Sequence, residues 1–239
     1  MILNKIHKKF DHLTVLKEIS FEIEQGQIFS IVGQTGCGKS TLLNIISGIE
    51  EQTKGDLNLG ENKSVGYLLQ ENVLLPWRTL YENITLGLEI KKKRLNNEKK
   101  RINELIDRFG LWGFENYYPD KLSGGMRQRT ALITCLIHNP DVLLLDEPFS
   151  NLDFDSKIRI QEELLRYHQE TNCSIIMVTH DIEDAIVLSD VIITLSGKPT
   201  VVKSSTVIDL DTKNPISARK SKQMPEYFTK IWNDLKNEK

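Results

Sequence analysis

Residues 33–41 read GQTGCGKST, and their spacing fits GxxxxGK[ST], the pattern of a loop that wraps a phosphate group. The pattern carries a mechanism only when a strand precedes it and a helix follows, and both are present. Residues 27–33, QIFSIVG, are an apolar run suited to a strand. Residues 39–48, KSTLLNIISG, place apolar residues at helical spacing and end on Gly48, a helix stop. In that context Gly33, Gly36 and Gly38 let the backbone close on phosphate. Lys39 neutralises the β and γ phosphates, and the Ser40 hydroxyl is a magnesium ligand. Gln34, Thr35, Cys37 and Thr41 complete the loop. Cys37 is read as a small filler and not as a nucleophile, because nothing near it in sequence supplies a base.

Working outward, residues 142–148, VLLLDEP, are apolar enough to belong at the centre of a sheet. Such a strand delivers Asp146 to the carboxyl edge, where open α/β sheets bind nucleotides. There Asp146 reaches magnesium through water, and Glu147 is placed to polarise the water that attacks the γ-phosphate. His180 ends a second such run, SIIMVTH at 174–180, so its ring reaches the same edge, either to contact the γ-phosphate or to orient Glu147 and the water. Gln70 ends VGYLLQ and offers a neutral amide oxygen to magnesium or to the attacking water.

After residue 122 helix and strand patterns alternate, ending in VIITLS at 191–196, which predicts a parallel sheet with crossover helices and an α/β fold. Upstream of the loop, TVLKEISFEI at 14–23 reads as a strand joined to the loop's own strand by a turn at EQG. GDLNLGENKSVGYLLQ at 55–70 reads as a hairpin, and residues 72–121 as a helical lobe in which KKKRLNNEKKR at 91–101 is a solvated helix face. Residues 200–239 are polar without a sharp pattern and read as a C-terminal extension of a single domain spanning 1–239.

The chain has 239 residues, 39% of them hydrophobic, with 31 basic and 33 acidic side chains for a net charge of -2. That balance favours neither nucleic acid nor an anionic membrane as a partner. The longest apolar runs fall well short of the roughly 20 residues that span a bilayer. The N-terminus, MILNKIHKKFDH, has no long apolar segment after its charges and does not resemble a secretory signal, so a cytosolic location is expected. Cys37, Cys135 and Cys173 are widely spaced and lack a CxxC pair, which argues for reduced thiols and against a zinc site.

A second stretch, LSGGMRQRT at 122–130, runs a serine and two glycines into an apparent helix start, itself a natural anion site. In order along the chain, GQTGCGKST, Gln70, LSGGMRQR, LLLDEP, SNLD at 150–153 and His180 resemble the ATP-binding-cassette (ABC) ATPases, across nearly the whole sequence. The resemblance implies a P-loop NTPase core with a small antiparallel β lobe and a helical lobe that carries the LSGG segment. It implies ATP and Mg2+ as cofactors, with Phe10 stacking on adenine and Val15 beside it; for an aromatic at that position a place in the core is the alternative. It further implies an ATP-dependent homodimer, in which Ser123, Gly124, Gly125 and Gln128 bind the ATP held by a second copy while Asp153 couples the two sites. Two departures from the family pattern are Gln34–Thr35, where proline and serine are usual, and the short 55–70 segment, which implies a trimmed β lobe.

Residues 70–89, QENVLLPWRTLYENITLGLE, are similar to the ATPases of nitrate, sulfonate and taurine importers. That similarity implies an energy subunit at the cytoplasmic face of the membrane, peripheral to separate integral permease subunits and served by an extracytoplasmic solute-binding protein. From the residues alone, Pro76 breaks a helix and Trp77 is costly to expose without a partner. Either the permease's coupling helix covers Pro76 and Trp77, or Trp77 packs into the helical lobe. The alternative function is a soluble ABC ATPase not coupled to transport; those of translation carry two cassettes and those of chromosome maintenance a long coiled coil, neither of which is seen here.

Overall fold

In the computed structural model, which describes residues 1–71, 73–92, 94–150 and 152–236, the chain begins with β1 (Ile2–Phe10), β2 (Leu13–Glu22) and β3 (Ile28–Val32). α1 (Lys39–Ser47), β4 (Lys54–Asn58), β5 (Val65–Leu68), α2 (Leu80–Ile90), α3 (Leu95–Arg108) and α4 (Gly124–Leu136) follow. The remainder is β6 (Val142–Asp146), α5 (Phe154–Thr171), β7 (Ser174–Thr179), α6 (Ile182–Leu188), β8 (Val191–Leu195), β9 (Val202–Val207), α7 (Pro215–Arg219) and α8 (Met224–Lys236).

The main sheet has the order β5-β6-β7-β3-β8-β9, parallel except for β9, which runs antiparallel to β8. β3, β6 and β7 are buried at every position, as expected for interior strands covered on both faces. The strand period of two sorts their side chains into two cores. Leu143, Leu145, Ile175 and Met177 face a cluster built with the helices of the lobe and of the C-terminal half. Leu144, Ile176, Val178, Phe29 and Ile31 face a second cluster, shared with α1 and with the antiparallel sheet β2-β1-β4. α1 buries Leu42, Leu43, Ile45 and Ile46 in it, at about 1.5 to 3 kcal/mol for each large apolar side chain. Burial therefore holds α1 in place and leaves its N-terminus free for other work.

Two expectations need correction. Residues 55–70 do not form a hairpin: β4 pairs antiparallel with β1, whereas β5 pairs parallel with β6 in the other sheet. The Gly60–Asn62 segment between them crosses from one sheet to the other. β1 has no counterpart in the sequence reading because bulges break its period. Lys5 has φ +49° and Glu18 on β2 has φ +51°, and the β1–β2 register shifts near both. Residues 200–236, patternless in sequence, form β9, α7 and α8, which bury Thr206, Ala218, Met224 and Ile231, while Ile208 and Leu210 are buried in the segment between β9 and α7.

α2 opens with a capping box. The Thr79 hydroxyl accepts from the Glu82 amide at 3.3 Å, and the Glu82 carboxylate accepts from the Thr79 amide at 2.8 Å. α3 turns Ile102, Leu105 and Ile106 inward and exposes Lys99, Lys100 and Glu104, so the solvated face expected over 91–101 holds for part of it: Arg101 donates to the Leu136 carbonyl, Lys91 and Lys92 precede the helix, and Lys93 lies outside the described residues. Among the described residues no helix is long and apolar enough to cross a membrane.

Candidate active site

The phosphate loop leaves β3 and enters α1 through Gly36 and Gly38, whose φ values of +76° and +117° only glycine adopts without strain. A Cβ on Gly38 would also lie 2.8 Å from Cγ1 of Val15, so β2 closes the loop from below. α1 has no side-chain cap, which leaves its first amides and the positive end of its dipole open to an anion. The Lys39 ammonium is nearly buried and donates to the carbonyls of Gly33 at 2.8 Å and Gln34 at 3.0 Å. Cys37 is buried beneath the loop, and burial raises its thiol pKa, which suits the filler role and not a nucleophile.

β6 and β7 bring the next groups to the same edge. Asp146 pairs in register with Val178, and the Glu147 amide continues the ladder by donating to the Val178 carbonyl at 2.9 Å. Asp146 is buried. Burial pushes its carboxyl above the ordinary range, the Glu147 charge adds to this, and the Ser40 hydroxyl bond and Lys39 offset it only in part. Its Oδ1 has no hydrogen-bond partner, an orphan that a cation next to Ser40 would satisfy. Among the described residues no group of three or more His, Cys, Asp or Glu could form a metal cage. A magnesium ion here would therefore be shared with phosphate oxygens, as Mg2+ commonly is.

Glu147 takes φ +52°, a left-handed conformation that costs a non-glycine residue about 1 to 3 kcal/mol. That turn aims its carboxylate at His180, whose Nδ1 lies 2.8 Å from Oε2. The imidazole is 63% exposed and the carboxylate 11%, so the pair has one member in the wall and one at the rim.

A cleft of about 610 Å³ gathers Phe10, Val15, Thr35, Gly36, Gly38, Lys39, Ser40, Thr41, Gln70, Asp146, Glu147 and His180. Phe10 is 42% exposed and so is not a core aromatic; the Lys8 ammonium lies 4.6 Å from its ring centroid and braces one face. Sequence reasoning missed Leu13, Ser150 and Lys198, which also line the cleft. Leu13 pairs with Phe10 across the β1–β2 turn, a neighbour that recognition of the hairpin would have found. Lys198 comes from the turn after β8 and has no local motif. Gln34 is exposed at the loop's shoulder and contributes its carbonyl to Lys39 and to the Cys37 amide.

The LSGG segment is not part of this cleft. Ser123 caps α4, its hydroxyl accepting from the Met126 amide at 3.2 Å, and Ser123 and Gly124 are exposed. A Cβ on Gly124 would meet nothing within 4 Å, whereas one on Gly125 would meet Leu152 at 3.1 Å. Nothing in the chain itself therefore requires a glycine at 124. Gln128, expected beside them at a second copy's ATP, is instead buried, and its amide donates to the Pro148 carbonyl. It ties α4 to the segment that carries Glu147. The reason is helical geometry: position 128 falls on the inner face of α4 with Leu132. Asp153 caps α5, accepting from the Ser156 amide at 2.9 Å, and that bond holds its carboxyl below the ordinary range. Asn151 of the SNLD stretch lies outside the described residues.

Trp77 is 70% exposed and does not pack into the helical lobe. Asn83 holds the loop that presents it. Its Oδ1 accepts from the Leu75 amide at 2.7 Å, and its Nδ2 donates to the carbonyls of Leu75, Arg78 and Thr79. One buried amide thus replaces the missing secondary structure of the loop and fixes Pro76 and Trp77 outward.

The ABC transporter family model matches residues 16–150. An aliphatic sulfonates import ATP-binding protein, SsuB of Bacillus cereus, is 41% identical over 207 residues, covering 82% of this chain and 81% of SsuB. The nitrate import ATP-binding protein NrtC of Synechococcus elongatus is 35% identical, over all of this chain and 37% of NrtC. A dimeric post-hydrolysis state of the ATP-binding cassette MJ0796 bound to ADP and Pi superposes with a TM-score of 0.77 at 30% identity, covering 87% of this chain and 98% of that one. With the family model over more than half of the chain and relatives of this identity and coverage, the chain belongs to the ABC transporter family as an ATP-binding subunit.

Proposed function

We propose that this chain is the ATP-hydrolysing subunit of an importer and works as an ATP-dependent homodimer at the cytoplasmic face of the membrane. The observation that carries the reading is the division of the anion-binding groups: Lys39 and the α1 amides lie in the cleft, while Ser123, whose hydroxyl caps α4, and Gly124 lie exposed outside it, with open space around Gly124. A second copy brings its Ser123 segment over the phosphates and completes each site, with Asp153 at the seam. Adenine stacks on Phe10 beside Val15. Ser40, Asp146 and Gln70 would hold Mg2+, which would supply charge neutralisation at the transferred phosphoryl group. Glu147 accepts a proton from the attacking water, and His180 fixes the carboxylate and reaches the γ-phosphate. Gln128 acts from behind, linking α4 to the Glu147 turn.

Movement on hydrolysis passes to separate permease subunits through Pro76 and Trp77. Two relatives are named for sulfonate and nitrate import, which favours a small solute; its delivery by an extracytoplasmic binding protein belongs to the same proposal. Co-purification with a permease and stimulation of ATPase activity by nitrate, an alkyl sulfonate or taurine tests the reading. Failure of the chain to associate with any membrane subunit, with ATPase activity indifferent to all three, overturns the importer assignment.

A further inference from the structure

Behind the cleft lies a buried charge cluster to which the hydrolysis reading gives no task. Asp184, in the first turn of α6, is 1% exposed and accepts from three side chains. These are Lys157 Nζ at 2.8 Å, Gln161 Nε2 at 2.9 Å and Arg219 Nη2 at 2.7 Å. Lys157 also donates to Asp181 at 3.0 Å. Arg219 donates further to Gln161 Oε1 and to the Pro215 carbonyl, each at 3.0 Å, and its guanidinium lies 5.9 Å from the Phe154 ring centroid. A carboxylate this deep stays in place only when it is paired and fully bonded.

The placement of these groups gives the cluster its meaning. Lys157 and Gln161 stand one turn apart on α5, whose N-cap is Asp153. Asp181 is the N-cap of α6 and follows His180 directly. One carboxylate therefore fastens the helix behind Asp153 to the helix behind His180, and α7 adds the third anchor. Lys157 and Gln161 suffice to hold Asp184 to α5. Arg219 adds direction: a planar fork bonded to three acceptors, with the Phe154 ring beside it, fixes orientation, which a lone ammonium does not.

We propose that Arg219 is a positioning residue for ATP hydrolysis, holding the start of α6 against the start of α5 so that His180 stays seated on Glu147 in register with the Asp153 turn. This rests on the reading of Glu147 and His180 as the hydrolytic centre. It gives the C-terminal segment a grip on the chemistry through the first turns of α5 and α6.

The test uses the full chain. Arg219→Gln is expected to lower kcat by about 10- to 100-fold, the scale of a reacting group displaced by about 1 Å, with KM and the Kd for ATP unchanged within about twofold. Arg219→Lys, which keeps the charge without the fork, is expected to fall between the two. A kcat for Arg219→Gln equal to that of the unaltered chain overturns the proposal, whatever the melting temperature does. Equal losses of kcat, KM and melting temperature in both variants overturn it as well, since they mark a merely structural residue. Should Arg219→Gln fail to fold, Arg219→Lys decides alone: lowered kcat at constant KM supports the proposal and unaltered kcat sinks it. Glu147→Gln and His180→Ala run in parallel. If both keep full turnover the hydrolytic reading itself fails, whereas if they are inactive and Arg219→Gln is active, only the role of Arg219 falls.

Discussion

His180 Nδ1 meets Glu147 Oε2 at 2.8 Å, a contact between the ends of two adjacent parallel strands that the left-handed turn at Glu147 makes possible. Glu147→Gln keeps a group able to bond His180 and removes the basic oxygen. Turnover is expected to fall by about 10²- to 10⁴-fold, the usual worth of a general base, while ATP still binds and a dimer accumulates. Phosphate release and size-exclusion chromatography in ATP read both effects, and a monomeric, fully active variant refutes the role.

Asp146 makes the second prediction through pH. Burial raises its carboxyl above the unfolded value, so the stability it contributes is present at acid pH and lost as pH rises through the folded value. Asp146→Asn, which mimics the protonated form, should melt above the unaltered chain at neutral pH without nucleotide. The gap should close as pH falls toward the ordinary carboxylate range. Adding Mg2+ and ATP should stabilise the unaltered chain more than the variant. Thermal melts across pH check all three statements, and a gap that widens on acidification contradicts the assignment.

Ser123 and Gly124 separate fold from assembly. Ser123→Arg loses the cap of α4 and should cost about 1 kcal/mol of stability. Gly124→Leu has open space around it and no positive φ to satisfy, so its melting temperature should hold. Both variants should bind ATP as monomers and fail to hydrolyse it. Normal activity in either one argues against a site shared between copies.

Trp77, 70% exposed on a loop pinned by Asn83, can be removed without harming the domain. Trp77→Ala is expected to change stability by less than about 0.5 kcal/mol, and basal ATPase activity should hold. The same change should weaken permease binding by at least about 30-fold, as a central Trp anchor does. Pull-down of the permease against basal turnover decides; equal binding would make Trp77 an incidental surface residue.

The residues proposed for hydrolysis, and their convergence on one cleft, were legible because each sits at the end of a segment with its own signal. Lys39 and Ser40 follow glycines at fixed spacing, and Asp146, Glu147 and His180 follow runs too apolar to lie anywhere but mid-sheet. What escaped depends on contacts between distant segments. β1 hides behind bulges at Lys5 and Glu18, and β4 and β5 look like a hairpin because local pattern does not say which sheet a strand joins. Gln128 belongs to a motif that reads as ligand-binding, yet its place on the inner face of α4 sends its amide to Pro148. Lys198 and Arg219 carry no motif; only the fold brings one to the cleft and the other to Asp184.

β3 takes β7 on one side and β8 on the other, so both neighbours of the strand that feeds the phosphate loop are encoded more than half a chain downstream. During synthesis Gly33–Thr41 leave the ribosome hanging from an unpaired strand, and no partner exists for it until residues 174–195 have followed. A chain broken off earlier has neither an ordered nucleotide pocket nor His180. The pocket is therefore an end product of synthesis, closed only when the second half of the chain supplies β7 and β8.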